Sequence, residues 1–192
     1  MQTEKQINVN NMNTNNTTIM NMLDQMSVEE LKNRLAAYML ADESLMPKPI
    51  GVEVRLTDDI TKNCRYDVFL LMDDGSEKEV KFRDRYSRLI YIYTLMHPKG
   101  YRSAFLKNNG LKGLCDLYST LYFASAEPLM QYTGDRFKQF FYQSVAQSRV
   151  FIRNTDPHAK EFEIGSPKKY DGRTLVPAAA DASKVIIDNS LK

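Results

Sequence analysis

Residues 80–106 read VKFRDRYSRLIYIYTLMHPKGYRSAFL, and the period in this stretch decides the fold. Tyr86, Leu89, Ile90, Tyr93, Met96 and His97 recur at helical spacing and build one apolar face. Pro98 and Gly100 stop the helix, and a shorter apolar segment follows. Arg83, Arg85 and Arg88 load the first turns with positive charge, at the end where the helix macrodipole favours anions. Asp84 offsets part of that. Cations in so unfavourable a place belong either to a solvated surface or to the binding of a partner.

Upstream, the period changes from helix to strand. Val52, Val54 and Leu56 alternate with Glu53, Arg55 and Thr57, the pattern of a half-buried strand. Residues 66–72 form a second strand. Asp73, Asp74 and Gly75 supply turn chemistry, and 78–82 returns as a third. The three make an antiparallel sheet leading directly into the central helix. Further upstream, Ser27 and Glu30 form a capping box. Leu31, Leu35, Tyr38 and Met39 then share one face of a helix over 28–41. Residues 1–26 are rich in Asn and Thr and poor in large apolar groups, so they read as a disordered tail.

Downstream, Leu111, Leu114, Cys115, Tyr118, Leu121 and Tyr122 give a second amphipathic helix, and 124–130 reads as a loop. Thr133 or Asp135 can cap a third helix running to about Arg153, with Phe137, Phe140, Phe141, Ser144, Val145 and Ser148 facing the core. After it come a short strand at 162–164, a basic turn at 168–173, a return over 174–176 and a β-branched strand over 184–188. There is no internal repeat.

The totals bound the function. The length suits one ordinary domain with a tail, and no apolar run approaches the roughly 18 residues of a membrane span. Cys64 and Cys115 lack metal or redox spacing, so the expected home is a reduced cytoplasm. The overall charge of +2 hides an asymmetry. Up to Val80 there are eight Lys/Arg and fourteen Asp/Glu, a net of −6; from Lys81 onward there are eighteen and ten, a net of +8. The second half therefore suits an acidic partner.

Three strands, three helices and a closing hairpin with a basic tip resemble the DNA-binding effector domain of OmpR/PhoB-type response regulators. SRLIYIYTLMHPKGYRSAFL is similar to that family's first helix and its exit, DRFKQFFYQSVAQSRVFIRN to its third helix, and FEIGSPKKYDGRTL to its hairpin wing. The likeness runs over about 51–188 and is one of element order and period. It implies an α+β, winged-helix-like domain: an N-terminal antiparallel three-stranded sheet, a three-helix core and a C-terminal β-hairpin. One helix with its linker (27–46) and the disordered tail (1–26) precede the domain at 47–192.

No reaction is written in the chain. His97 and His158 are too few and too separated for a metal site. Gly110 and Gly113 lack the lysine and strand of a phosphate loop. The Asp58–Asp59 and Asp73–Asp74 pairs suit strand ends and turns, and Cys115 suits a small core residue better than a nucleophile. The expectation is a non-catalytic DNA-binding protein without cofactor or small-molecule substrate. Gln can bond adenine and Arg guanine through paired hydrogen bonds. Gln139, Gln143, Gln147, Arg149 and Arg153 on the third helix would supply them. Lys168, Lys169 and Arg173 would grip phosphate from the hairpin tip, and Arg83, Arg85 and Arg88 would add backbone contacts. The alternative is a protein-interaction or homodimer module using Phe140, Phe141, Tyr142 and Phe151, four aromatics that exceed one core face.

Overall fold

The computed structural model describes residues 26–41, 45–59, 61–102, 111–132, 134–170 and 173–191. The chain divides into two units, 1–46 and 47–192. In the first, helix α1 spans Val28–Ala41. Ser27 starts it by accepting the Glu30 N–H at 3.2 Å, one arm of the capping box. Val28, Leu35 and Tyr38 are exposed on α1. The expected tail lies, but for Met26, outside the described residues.

The second unit is α+β. Strand β1 (Pro49–Leu56) obeys its alternation at Val52 and Val54, which are buried, whereas Leu56 at its end is exposed. Strand β2 (Tyr66–Met72) pairs with it antiparallel, placing Leu70 opposite Val52 and Val68 opposite Val54. Gly75 takes a φ of +82°, and Asp74 accepts the N–H and hydroxyl of Ser76. This turn returns the chain as β3 (Glu77–Glu79), antiparallel to β2. Strand β3 is shorter than the expected 78–82, because after Val80 the chain leaves the sheet to enter the next helix.

Helix α2 (Arg85–Leu95) is the centre of the unit. Asp84 caps it, its Oδ1 accepting the Ser87 N–H at 2.7 Å, so a carboxylate answers the dipole that the arginines oppose. Leu89, Ile90 and Tyr93 are buried as expected. Tyr91, Ile92, Thr94 and Leu95 are buried too, so from Leu89 onward the helix is enclosed on every side rather than along one face. The Thr94 hydroxyl donates to the Ile90 carbonyl at 2.7 Å. Gly100 then turns the chain with a φ of +72° into a two-residue strand, β4 (Tyr101–Arg102).

Helix α3 spans Leu111–Tyr122. The loop expected at 124–130 contains one helical turn, α4 (Glu127–Met130), with Pro128 in its first turn. Helix α5 (Gly134–Thr155) contacts α2 and buries Phe140, Phe141, Ser144, Val145, Ser148, Phe151 and Ile152. Thr133, one of its two expected caps, lies outside the described residues.

The expected strand at 162–164 does not form. Ala159–Phe162 is a 3-10 turn, initiated where Asp156 Oδ1 accepts the His158 N–H. Phe162 and Ile164 fill the core instead, and the Tyr91 hydroxyl takes the Phe162 carbonyl at 2.8 Å. Strands β5 (Lys168–Tyr170) and β6 (Arg173–Val176) form the hairpin, so Lys168 and Lys169 lie in a strand and not in the turn expected at 168–173. Strand β4 pairs with β6, giving a small sheet in the order β4-β6-β5. Strand β7 (Val185–Ile187) joins the first sheet, parallel to β1, with Val185 opposite Val52. The expected three-stranded antiparallel sheet is thereby a mixed four-stranded one, β3-β2-β1-β7. No described helix is long and apolar enough to cross a membrane.

A single ion pair ties β3 to the end of α5. Lys78 Nζ lies 2.7 Å from Asp156 Oδ2, with the carboxylate buried and the lysine 42% exposed. Replacing Lys78 by Met leaves Asp156 with the His158 N–H alone. Urea unfolding should show a loss of about 1–3 kcal/mol, the cost of an under-satisfied buried acceptor. The exposure of Lys78 keeps the loss at the low end, since water reaches the pair.

Candidate nucleic-acid interface

Helix α5 presents a polar stripe because its apolar residues follow the 3.6-residue period on the other side. Arg136, Gln139, Gln143, Ala146, Gln147, Val150 and Asn154 are exposed along it. Gln139, Gln143 and Gln147 thus share one open face, as the spacing predicts.

The arginines of α5 go elsewhere. Arg149, expected beside the glutamines, turns back toward the chain that leaves the helix, and its Nε donates to the Ile164 carbonyl at 2.6 Å. Its Nη2 is buried with no hydrogen-bond partner among the described residues. Arg149 therefore braces the entry to the hairpin, and the expectation that it faces outward is corrected. Arg153 is exposed but meets Glu163 through two hydrogen bonds of 3.0 and 2.9 Å. The hydrogen bonds to Glu163 raise its pKa further. An exposed pair of this kind adds little to stability, but its two hydrogen bonds occupy the Arg153 guanidinium.

In the small sheet, Lys168 on β5 and Arg102 on β4 are both exposed, on either side of Leu175 in β6. Lys169 and Arg173 occupy β5 and β6; their side chains, like residues 171–172 of the tip, lie outside the described ones. Backbone pairing sets Lys169 opposite Thr174 and Tyr170 opposite Arg173.

The α2 arginines divide. Arg83 is exposed and has no ion-pair partner among the described residues. Arg85 is exposed too, 3.4 Å from the Tyr118 hydroxyl and over the Tyr122 ring at 5.5 Å; the hydrogen bond to Tyr118 raises its pKa. Arg88 is only 14% exposed and donates to the Tyr66 carbonyl at 3.2 Å. It fastens α2 to β2, which corrects its reading as a surface cation. With Lys62, Lys81, Glu79 and Asp84, these arginines line a cleft of about 360 Å³. Lys62 is engaged by Asp67 and Glu79 at 2.7 and 3.1 Å, which leaves Lys81, Arg83 and Arg85 as its outward cations.

The aromatic surplus expected on α5 is absorbed by the core. Phe140, Phe141 and Phe151 are buried and Tyr142 is partly buried. They meet partners that local sequence cannot name: Tyr86 and Tyr132 for Phe140, Tyr101 for Phe141 and Phe82 for Phe151. His97 closes α2, its Nδ1 2.7 Å from the Tyr93 carbonyl and its ring against Tyr93 and Tyr101. Cys115 is buried, and burial pushes its thiol up.

Several exposed cations were missed as candidate site residues, Arg136 and Arg102 among them. Arg136 shares the period of the glutamines and was legible on that ground. Arg102 was not legible, because its place depends on β4 pairing with β6, some 70 residues away. No protein-family model, curated protein or solved structure matches the chain.

Proposed function

We propose that this chain is a non-catalytic DNA-binding protein of winged-helix type, acting as a transcriptional regulator. One observation carries the proposal: the β4-β6-β5 order ties the exit of α2 to a basic hairpin and leaves a polar face of α5 open. Helix α2, the two longer helices α3 and α5 after it and the closing hairpin follow the order that the OmpR/PhoB-type resemblance implies, which supports the reading; the single turn of α4 and the short strand β4 paired with the hairpin are features of this chain beyond that resemblance. On this reading α5 enters the major groove. Arg136 and Lys168 grip phosphate, with Lys169 and Arg173 joining from the hairpin, and Arg83, Arg85 and Arg102 stand ready for flanking backbone. Two buried free thiols suit a reducing compartment, and the cytoplasm is the proposed site of action.

Fluorescence anisotropy against random duplex at low salt tests this directly. Affinity should fall steeply as salt rises, because each neutralised phosphate releases counterions. Replacing Lys168 and Lys169 together by Gln should weaken binding to all sequences alike and reduce the log–log salt slope by about 2. Absence of binding at protein concentrations above about 100 μM, beyond the usual non-specific range, would sink the proposal.

A second reading, a homo-oligomer or protein-interaction module, now rests on α1 and not on the aromatics of α5. Its Val28, Leu35 and Tyr38 are exposed. Equilibrium sedimentation separates the two: a dimer that becomes monomeric on changing Leu35 to Lys, with no affinity for duplex, would favour the module.

A further inference from the structure

The open face of α5 holds an uneven chemistry. Guanine is read in the major groove by Arg or Lys, adenine by Gln or Asn through paired bonds to N6 and N7, and the thymine methyl by apolar contact. The arginines that lie toward the end of α5 are both committed. Arg149 is held by the Ile164 carbonyl at 2.6 Å, and Arg153 by Glu163. Along the stripe from Arg136 to Asn154, Gln139, Gln143, Ala146, Gln147 and Val150 stay open, and the exposed Lys138 falls well off that stripe by helical spacing. Val150 is 45% exposed, a β-branched apolar side chain among amides.

We infer that α5 reads A·T base pairs in the major groove, with Gln139, Gln143 and Gln147 on adenine and Ala146 and Val150 against thymine methyls. This rests on the winged-helix reading above. The spacing suits the task. Glutamines four residues apart stand about 6 Å apart along the helix axis, close to two base-pair rises of about 3.4 Å each. Ala146 and Val150 are also four apart and lie beside Gln147, so amide and apolar contacts alternate along the groove as adenine and thymine do across it. Arg136 sits one turn before Gln139, where it meets the backbone and not a base.

The test uses the full chain and a random-centre duplex pool from which bound sequences are selected and then titrated individually. The expected result is enrichment of A·T pairs, with each A·T to G·C change in the core weakening binding by about 5- to 150-fold. Two base analogues locate the contact. Replacing adenine by 7-deazaadenine removes the N7 acceptor, and replacing thymine by uracil removes the methyl. Each should weaken binding by the wild-type chain. Gln143→Ala should be indifferent to at least one 7-deazaadenine position, and Val150→Ser to at least one uracil. Both residues are exposed, so these variants keep the fold. An A·T preference that survives Gln143→Ala and both analogues would come from groove shape and would overturn the inference. So would duplex binding with no preference, or a preference for G·C abolished by Arg149→Ala. Either of those results leaves the DNA-binding proposal intact; absence of any duplex binding overturns both.

Discussion

Leu89→Ala should lower the unfolding free energy of the 47–192 unit by about 2–5 kcal/mol, the range for truncating a fully buried leucine. Leu89 is 0% exposed on a helix that contacts both α3 and α5. Its neighbours Ile90, Tyr91 and Ile92 are equally enclosed, so the cavity has little freedom to collapse from a solvent side. The comparison variant is Arg83→Ala on the exposed approach to the same helix, which should stay within about 0.5 kcal/mol of wild type. Urea denaturation of the two side by side decides the matter. Equal midpoints would mean that the inward face of α2 had been wrongly identified.

Gly100→Val is the second large effect expected. Gly100 has a φ of +72°, and a Cβ built there would lie 2.5 Å from the Val176 carbonyl oxygen and 3.3 Å from the Pro177 Cα. Both are backbone atoms, so no rotamer change relieves the overlap; β6 has to move away from β4. The positive φ costs about 1–2 kcal/mol for a residue with a Cβ, and forcing apart packed groups adds about 1–3 kcal/mol, for a total of about 2–5 kcal/mol. Gly75→Ala separates the two contributions. It shares the positive φ, at +82°, but meets nothing within 4 Å, so it should cost only the backbone part. Urea midpoints that are the same for both variants would remove the close approach of the Gly100 turn to the end of β6 as a determinant of stability. Because β6 is half of the hairpin, Gly100→Val should also weaken duplex binding at temperatures where the chain is still folded.

These two positions mark what local sequence reveals and what it conceals. The bounds of α1 and α3, the Asp73–Gly75 turn and the end of α2 ahead of Pro98 and Gly100 followed from caps, periods and turn chemistry acting within a few residues. The inward face of α5 followed in the same way, with Phe140, Phe141, Ser144, Val145 and Ser148 buried as their spacing required and Phe137 partly buried. The glutamine stripe was the complement of that face. Arg149 and Arg88 were not legible. Each is captured by a carbonyl that folding brings to it, Ile164 for one and Tyr66 for the other. Long polar side chains look alike in a sequence whether they serve solvent, a ligand or a distant backbone. The same limit hid the pairing of β4 with β6 and of β7 with β1, since strand partners are chosen by tertiary packing and not by the strand's own residues. Residues 162–164 had the composition of a strand and became core filling because Tyr91, buried on α2, takes the Phe162 carbonyl.

The parallel pairing of β7 with β1 also sets a timetable. Synthesis at about 5–20 residues per second needs about 7–27 s to carry a ribosome from Val52 to Val185. During that interval β1 has β2 on one side and nothing from its own sheet on the other. Backbone donors and acceptors along Val52–Val54 wait beside apolar side chains that the finished unit buries. An open edge of this kind is a template for strands of other chains. Nascent chains that stall before Val185 therefore carry an adhesive border that the completed protein closes with three residues.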